Sequence, residues 1–318
     1  MEQPLPSPAT RPPRPRLLLA DALVLGGLVL LGLFASQLAG AGLILWGLDG
    51  DLESLNRLLA DPESFGSRGR YFLLTLQGLA TVGTFVLPPV LLVWRFRHQS
   101  LWSLSPRLIK DNMQLLWAVL LVPALAPLLE LTITWNKNLS LPASLEAFEL
   151  WAQAKEDQLA RLTEYLIAFD GFGQFLLGLF VIAVLPALGE ELLFRGTLQP
   201  MLQRATGSPH RAIWLTAIVF SAIHVQFYGF VPRMLLGALF GYLYYWSGNI
   251  SIPILAHFTN NGITVVLSYL QRSGQTSLDP DNLPAAPLPV LLASVVAGAA
   301  VLYRFRARYF VPTMPPAP

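Results

Sequence analysis

The chain contains no cysteine. Disulfides, cysteine-ligated zinc and a thiol nucleophile are excluded together. Charge is almost as scarce. Only 13% of residues are Asp, Glu, Lys or Arg, against 54% hydrophobic, and mean hydropathy is +0.53. Soluble domains carry about a quarter charged residues. This composition is that of a polytopic membrane protein. The net charge is +2, and no basic run interleaves with aromatics, so no nucleic-acid partner is expected. His-Glu-x-x-His and Gly-x-Ser-x-Gly are both absent. The zincin and nucleophile-elbow arrangements are therefore not available.

What the chain has is long apolar runs. They predict an all-α transmembrane bundle of about eight spans with four segments in order. Residues 1–16 read as a disordered Pro/Arg-rich tail, because prolines forbid a stable helix there. Residues 17–171 hold spans over Leu17–Leu48, Tyr71–Trp94 and Met113–Ile133. An extramembrane amphipathic helix follows, from Trp151 to Phe169, with apolar residues at helical spacing among charges. Residues 172–270 hold spans over Phe172–Leu202, Arg211–Phe227, Val231–Trp246 and Ile252–Leu270, joined by short links that make them antiparallel neighbours. Residues 271–318 form a polar loop, a last span over Leu288–Tyr303 and a basic tail. Breaks or kinks are expected near Gly40 and Gly42, at Pro88-Pro89 and at Pro186.

Basic residues set the orientation. With eight spans, Arg11, Arg14 and Arg16 share a side with Arg95, Arg97, Arg107 and Lys110, with Arg204 and Arg211, and with Arg304, Arg306 and Arg308. Both termini are then cytoplasmic. The membrane expected is a bacterial inner (plasma) membrane, with a plastid-type membrane as the alternative.

The costly feature lies in the fourth span. Glu190, Glu191 and Arg195 sit inside an apolar run, where each charge costs about 2.5–3.5 kcal/mol on insertion scales. Glu191 and Arg195 are four apart, acid first, the favourable order for an ion pair. Glu190 points about 100° away from Glu191 and has no partner on its own helix. Of the four histidines, His98 and His210 fall in basic connectors. His224 and His257 fall within predicted spans, where an ionisable group is a functional-site hypothesis. A rise of 1.5 Å per residue puts Glu190 about 18 Å and His224 about 20 Å from one end of their spans. By the same rise His257 and Asn261 lie about 10 and 16 Å in from Ile250. Phe220 and His224 share a face, as do His257 and Asn261. A carboxylate, two imidazoles and an amide at comparable depth suit hydrolysis: one group takes a proton from water, one positions it, and two donors hold an oxyanion. Gly237-x-x-x-Gly241 is a close-packing motif, and Phe220 reads as packing.

Glu190-Glu191-x-x-x-Arg195, Phe220-x-x-x-His224 and His257-x-x-x-Asn261, in that order on successive apolar segments, resemble the three motifs of the CPBP family. That family contains type II CAAX prenyl endopeptidases, bacteriocin-processing enzymes and Abi membrane proteins. The resemblance covers about residues 172–270. It implies a glutamate intramembrane endopeptidase that needs no metal. Glu190 would activate water with help from His224, His257 and Asn261 would form the oxyanion site, and Glu191 and Arg195 would support them. The partners it implies are the lipid bilayer and a membrane-associated peptide or protein substrate, prenylated, signal-like or neither. Three alternatives stand beside it. One is a zinc enzyme with Glu190, His224 and His257 as ligands. The others are a non-catalytic scaffold or immunity-type protein, and a proton-coupled carrier using Glu190 and the histidines as a relay.

Overall fold

The computed structural model describes residues 15–278 and 286–310. Residues 1–14 of the expected tail, the end of the polar loop from 279 to 285 and the terminal residues 311–318 lie outside the described residues. Ten helices form the described chain: α1 (Pro15–Gly47), α2 (Leu52–Ala60), α3 (Pro62–Phe96), α4 (Asn112–Lys137), α5 (Glu146–Ile167), α6 (Phe172–Thr206), α7 (Pro209–Ala222), α8 (Phe230–Ser247), α9 (Ser251–Arg272) and α10 (Leu288–Tyr309). Five of them, α1 from Leu19 onward, α3, α4, α6 and α10, are long and apolar enough to cross a bilayer. The protein is an integral membrane protein with an all-α fold. The remaining helices of the expected core, α7 to α9, fall outside that class. α7 has only 14 residues.

Two apolar clusters are the largest among the described residues. Leu25 of α1, Leu92 of α3, Leu193, Phe194 and Met201 of α6 and Phe220 of α7 form one. Ala118, Leu121 and Val122 of α4, Phe240 and Leu243 of α8, Ile252 and Ala256 of α9 and Phe305 of α10 form the other. In the first, α1 and α3 cross backbone to backbone: a Cβ on Gly32 would strike the carbonyl oxygen of Gly83. Only glycine permits that approach. Large apolar side chains on the outer faces, such as Leu38 and Trp46 of α1 and Leu131 of α4, stay exposed, as lipid-facing positions do.

Polar ties close both ends. At one end Asp21 pairs with Arg97 at 2.7 Å. Asp111 caps α4, accepting from the Gln114 N–H at 3.1 Å, and pairs with Arg308 of α10 at 2.8 Å. At the other end Arg70 of α3 donates to Asp170 at 2.8 Å, to Gln174 at 2.9 Å and to the Tyr165 carbonyl at 2.8 Å, and Ser67 also donates to Asp170. One buried guanidinium thereby joins α3, the end of α5 and the start of α6.

The structure corrects several expectations. α1 runs unbroken through Gly40 and Gly42. The prolines at 88, 89 and 186 each follow a π-helical turn, Val82–Val86 in α3 and Leu179–Val184 in α6. The wider turn re-routes backbone hydrogen bonds beside a residue that has no N–H to give. The span predicted to reach Phe227 ends as a helix at Ala222. Val225 then takes φ +54°, a left-handed conformation that no helix tolerates in a β-branched residue. The amphipathic helix begins at Glu146, five residues earlier than expected.

Candidate functional site

The site starts on α6, in the nine-residue α-helical stretch Leu185–Leu193, which lies between the π turn at Leu179–Val184 and a second at Phe194–Leu198. Single π turns inside long helices recur at functional positions because each rotates the side chains that follow. Glu191 and Arg195 are completely buried. They form the expected pair, Arg195 Nη1 donating to Glu191 Oε1 at 2.8 Å. Arg195 Nη2 donates to the Gly237 carbonyl at 2.8 Å, and the guanidinium lies 4.8 Å from the Phe220 ring and 5.5 Å from the Phe240 ring. One turn on, Gln199 donates to the Gly241 carbonyl at 3.1 Å. The Gly237-x-x-x-Gly241 motif thus does two things. A Cβ on Gly237 would come within 3.1 Å of Phe220 and 3.3 Å of Ala217, so glycine lets α8 close on α7. The same two glycines give their carbonyls to α6.

His257 on α9 completes this buried group. Its ring stacks on Phe240 at 5.1 Å between centroids and 21° between planes. Nδ1 is 2.8 Å from Glu191 Oε1. An ionised carboxylate only accepts, so Nδ1 carries the hydrogen and Nε2 is left to face elsewhere. It faces Glu190, 3.9 Å from Oε2. That oxygen is buried with no hydrogen-bond partner.

His224 stands in the turn after α7, not within a helix. Its Nδ1 is 2.8 Å from the Phe220 carbonyl. A carbonyl cannot donate, so this ring too has its hydrogen on Nδ1 and a lone pair on Nε2. The loop that carries it is pinned on both sides. Ser221 donates to the Phe230 carbonyl at 2.6 Å. Asn136, buried at the end of α4, donates to the Phe227 carbonyl at 3.3 Å and accepts from the Val231 N–H at 2.9 Å. These bonds hold the strained Val225 in place beside the histidine.

Asn261 sits one turn beyond His257. Its amide donates to the Ile182 carbonyl at 3.3 Å and its oxygen accepts from Asn260 at 3.1 Å. Ile182 is four residues before Pro186, which has no N–H with which to close the helical bond. Asn261 supplies a donor in its place and keeps a second amide hydrogen.

Glu190, His224, His257 and Asn261 line one cavity of about 470 Å³. The structure thus brings together the four residues singled out at comparable depth. Glu191 and Arg195 do not line it; they lie behind its wall. The other two histidines are elsewhere: His210 meets Tyr242 at 3.0 Å, and His98 takes φ +54° in the connector after α3. Among the described residues no three His, Asp or Glu side chains are grouped to hold a metal ion. A second cavity of about 580 Å³, between α1, α3, α6 and α7, is lined mainly by apolar residues.

The 470 Å³ cavity also holds residues the sequence reading passed over, chiefly Arg233 on α8 and Glu156 on α5. Burial raises the Glu156 carboxyl above its ordinary range, with the Arg233 charge opposing the shift. Arg233 was detectable by the rule that flagged the histidines, an ionisable residue inside an apolar run. Glu156 was one of many charges on a polar helix, and nothing local marked it.

Residues 172–263 match the family described as type II CAAX prenyl endopeptidase, Rce1-like, a segment that contains all seven motif residues from Glu190 to Asn261. Over 81 residues the chain is 32% identical to the uncharacterized protein YpbD of Bacillus subtilis (strain 168), covering 24% of this chain and 38% of that relative. The match thus spans less than half of the relative's length. No solved structure matches the chain.

Proposed function

We propose, from the premise that residues 172–263 are an Rce1-like CAAX prenyl endopeptidase domain, that this protein is an intramembrane endopeptidase using Glu190 to activate water. One observation carries the reading. Glu190 turns a buried, unpartnered oxygen into the same cavity that His224, His257 and Asn261 line. A general base needs an acceptor within reach of a water and shielded from bulk solvent.

The chemistry follows from the hydrogens already assigned. Glu190 takes a proton from the attacking water. His224, with its lone pair on Nε2, accepts the water's second hydrogen and orients it. The oxyanion is held by the free amide hydrogen of Asn261 and by His257 Nε2. Because Nδ1 of His257 already donates to Glu191, Nε2 donates only when the ring holds both protons. Glu191 and Arg195 are positioning residues that fix His257 and the α6–α8 contact. The substrate is a membrane-associated peptide or protein, and a lipid modification on it is not required by the residues in the cavity.

The bundle crosses the membrane eight times in this reading, α7 to α9 included, with the 223–229 loop completing the short α7. Both termini face the cytoplasm of a bacterial inner membrane. The support is that Arg97, Arg107, Lys110 and Arg308 gather with Asp21, Asp111 and Gly248 at linked ends of α1, α3, α4, α8 and α10.

The test is cleavage of membrane peptides by the purified full chain in lipid nanodiscs, comparing wild type, Glu190→Gln and His224→Ala. Wild type cleaves and both variants do not. Full activity of Glu190→Gln would overturn the glutamate mechanism. Proton-coupled flux in proteoliposomes that disappears with Glu190→Gln, with no cleavage by wild type, would move the protein to the carrier class.

A further inference from the structure

Arg233 is unexplained by the hydrolytic set. It enters the cavity from the first turn of α8. Its Nη2 donates to Gln226 at 2.6 Å, and its Nη1 is buried with no hydrogen-bond partner. The guanidinium packs on Gly229, where a Cβ would lie 3.0 Å from Nη2. Glu156 lines the same cavity, and its Oε2 is also buried without a hydrogen-bond partner. Among the described residues no ion pair joins the two. Gln226 and the backbone of Gly229 hold the guanidinium where it is, and Glu156 belongs to a different helix, α5.

An unmade bond on a buried guanidinium nitrogen is costly, and the cost is recovered when a ligand makes it. A guanidinium edge matches a carboxylate oxygen in shape and charge better than any neutral group. We propose that Arg233 is the carboxylate-recognition residue of the cavity, selecting peptides that carry an acidic group close to the bond being cut. The inference rests on the peptidase reading above. The acidic group is either an Asp or Glu side chain or the α-carboxylate of a chain terminus; both offer Arg233 the same oxygens. Glu156 is the resident negative charge that a substrate carboxylate must outcompete.

The experiment uses a library of N-palmitoylated dodecapeptides in three matched forms: free C-terminus, C-terminal amide, and amide with Asp or Glu placed along the chain. Cleavage is followed by mass spectrometry with the full-length protein in nanodiscs. Retention of the same library on immobilised Glu190→Gln protein is measured in parallel. Carboxylate-bearing peptides should be preferred by about tenfold or more in KM, the scale of one charge-assisted hydrogen bond. The ratio of acidic to amidated KM should collapse toward one in Arg233→Gln, recover in part in Arg233→Lys, and widen in Glu156→Gln. Preference for the free terminus alone or for internal acids alone identifies the source. An unchanged ratio in Arg233→Gln, or no acidic preference in wild type, overturns the proposal. If wild type cleaves nothing, the peptidase reading fails, and the retention arm still decides the role of Arg233: equal retention of acidic and amidated forms, or none of either, overturns it.

Discussion

Glu191 Oε1 meets Arg195 and His257 at 2.8 Å each, while Glu190, one residue earlier, turns an oxygen without a partner toward the cavity. Consecutive positions on a helix point about 100° apart, so the chain can seal one carboxylate and keep its neighbour available. Identical side chains therefore have different predicted losses.

Glu190→Gln should keep the fold and lose the chemistry. Removing a general base typically costs about 10²–10⁴-fold in rate, and the melting temperature should stay near that of wild type because the amide occupies the same volume. Glu191→Ala should behave in the opposite way. It strands the buried Arg195 charge, and breaking a buried pair from one side costs about 3–5 kcal/mol. Thermal unfolding in detergent beside a cleavage assay separates the two. Equal destabilisation of both variants would contradict the division of roles.

The geometry behind this division is legible in the sequence. The four-residue spacing of Glu191 and Arg195 gave the ion pair, and depth along the helices placed Glu190, His224, His257 and Asn261 together. Both are local rules that a helix enforces wherever it is placed. The existence of the five long apolar helices was legible for the same reason. Three things were not. The turn that carries His224 depends on Val225 holding φ +54°, a conformation stabilised by distant bonds. The π turns of α6 change register by one residue without a compositional signal. The hydrogen bond between His257 and Glu191 needed the relative rotation of two helices, which periodicity alone does not set.

Asn136 is the clearest case of a contact that only the fold reveals. It lies in the last turn of α4 and bonds both sides of the His224 loop, to the Phe227 carbonyl and the Val231 N–H. Asn136→Leu should cost about 1–3 kcal/mol through the unsatisfied backbone groups. Cleavage should fall further than stability does, because in the proposed mechanism the loop positions a reacting side chain. A variant that melts earlier yet cleaves at the wild-type rate below its transition would show that the loop holds its shape without this clamp.

Asp170 gives a pH-dependent prediction. Its hydrogen bonds with Ser67 and the bond and charge of Arg70 hold its carboxyl below the ordinary range. The folded state therefore releases this proton more readily than the unfolded one. The resulting stability is present above the unfolded carboxyl range and is lost as pH falls through the lowered folded value. The Asp170 side chain is half exposed, so solvent screening limits the effect to about 1 kcal/mol or less. Asp170→Asn should melt earlier than wild type at pH 7, with the gap closing toward pH 3. A gap that is constant with pH would mean that packing, not charge, is what Asp170 supplies.

Glu156 should show the reverse dependence. Burial raises its carboxyl above the ordinary range, and Arg233 only partly offsets the shift. The folded state then holds this proton more tightly than the unfolded chain does. Stability from this group is fully present below the ordinary carboxyl range and declines as pH rises through the window between the ordinary and the raised value. Glu156→Gln does not titrate and escapes the decline. Its melting temperature relative to wild type should rise between pH 4 and pH 7.5, whereas that of Asp170→Asn should fall with rising pH in its own lower window, mainly below about pH 5. Circular dichroism melts of the two variants at matched pH values check the signs against each other. If both move in one direction, the shift belongs to the bundle as a whole, and the local environments of these two carboxyls do not control it.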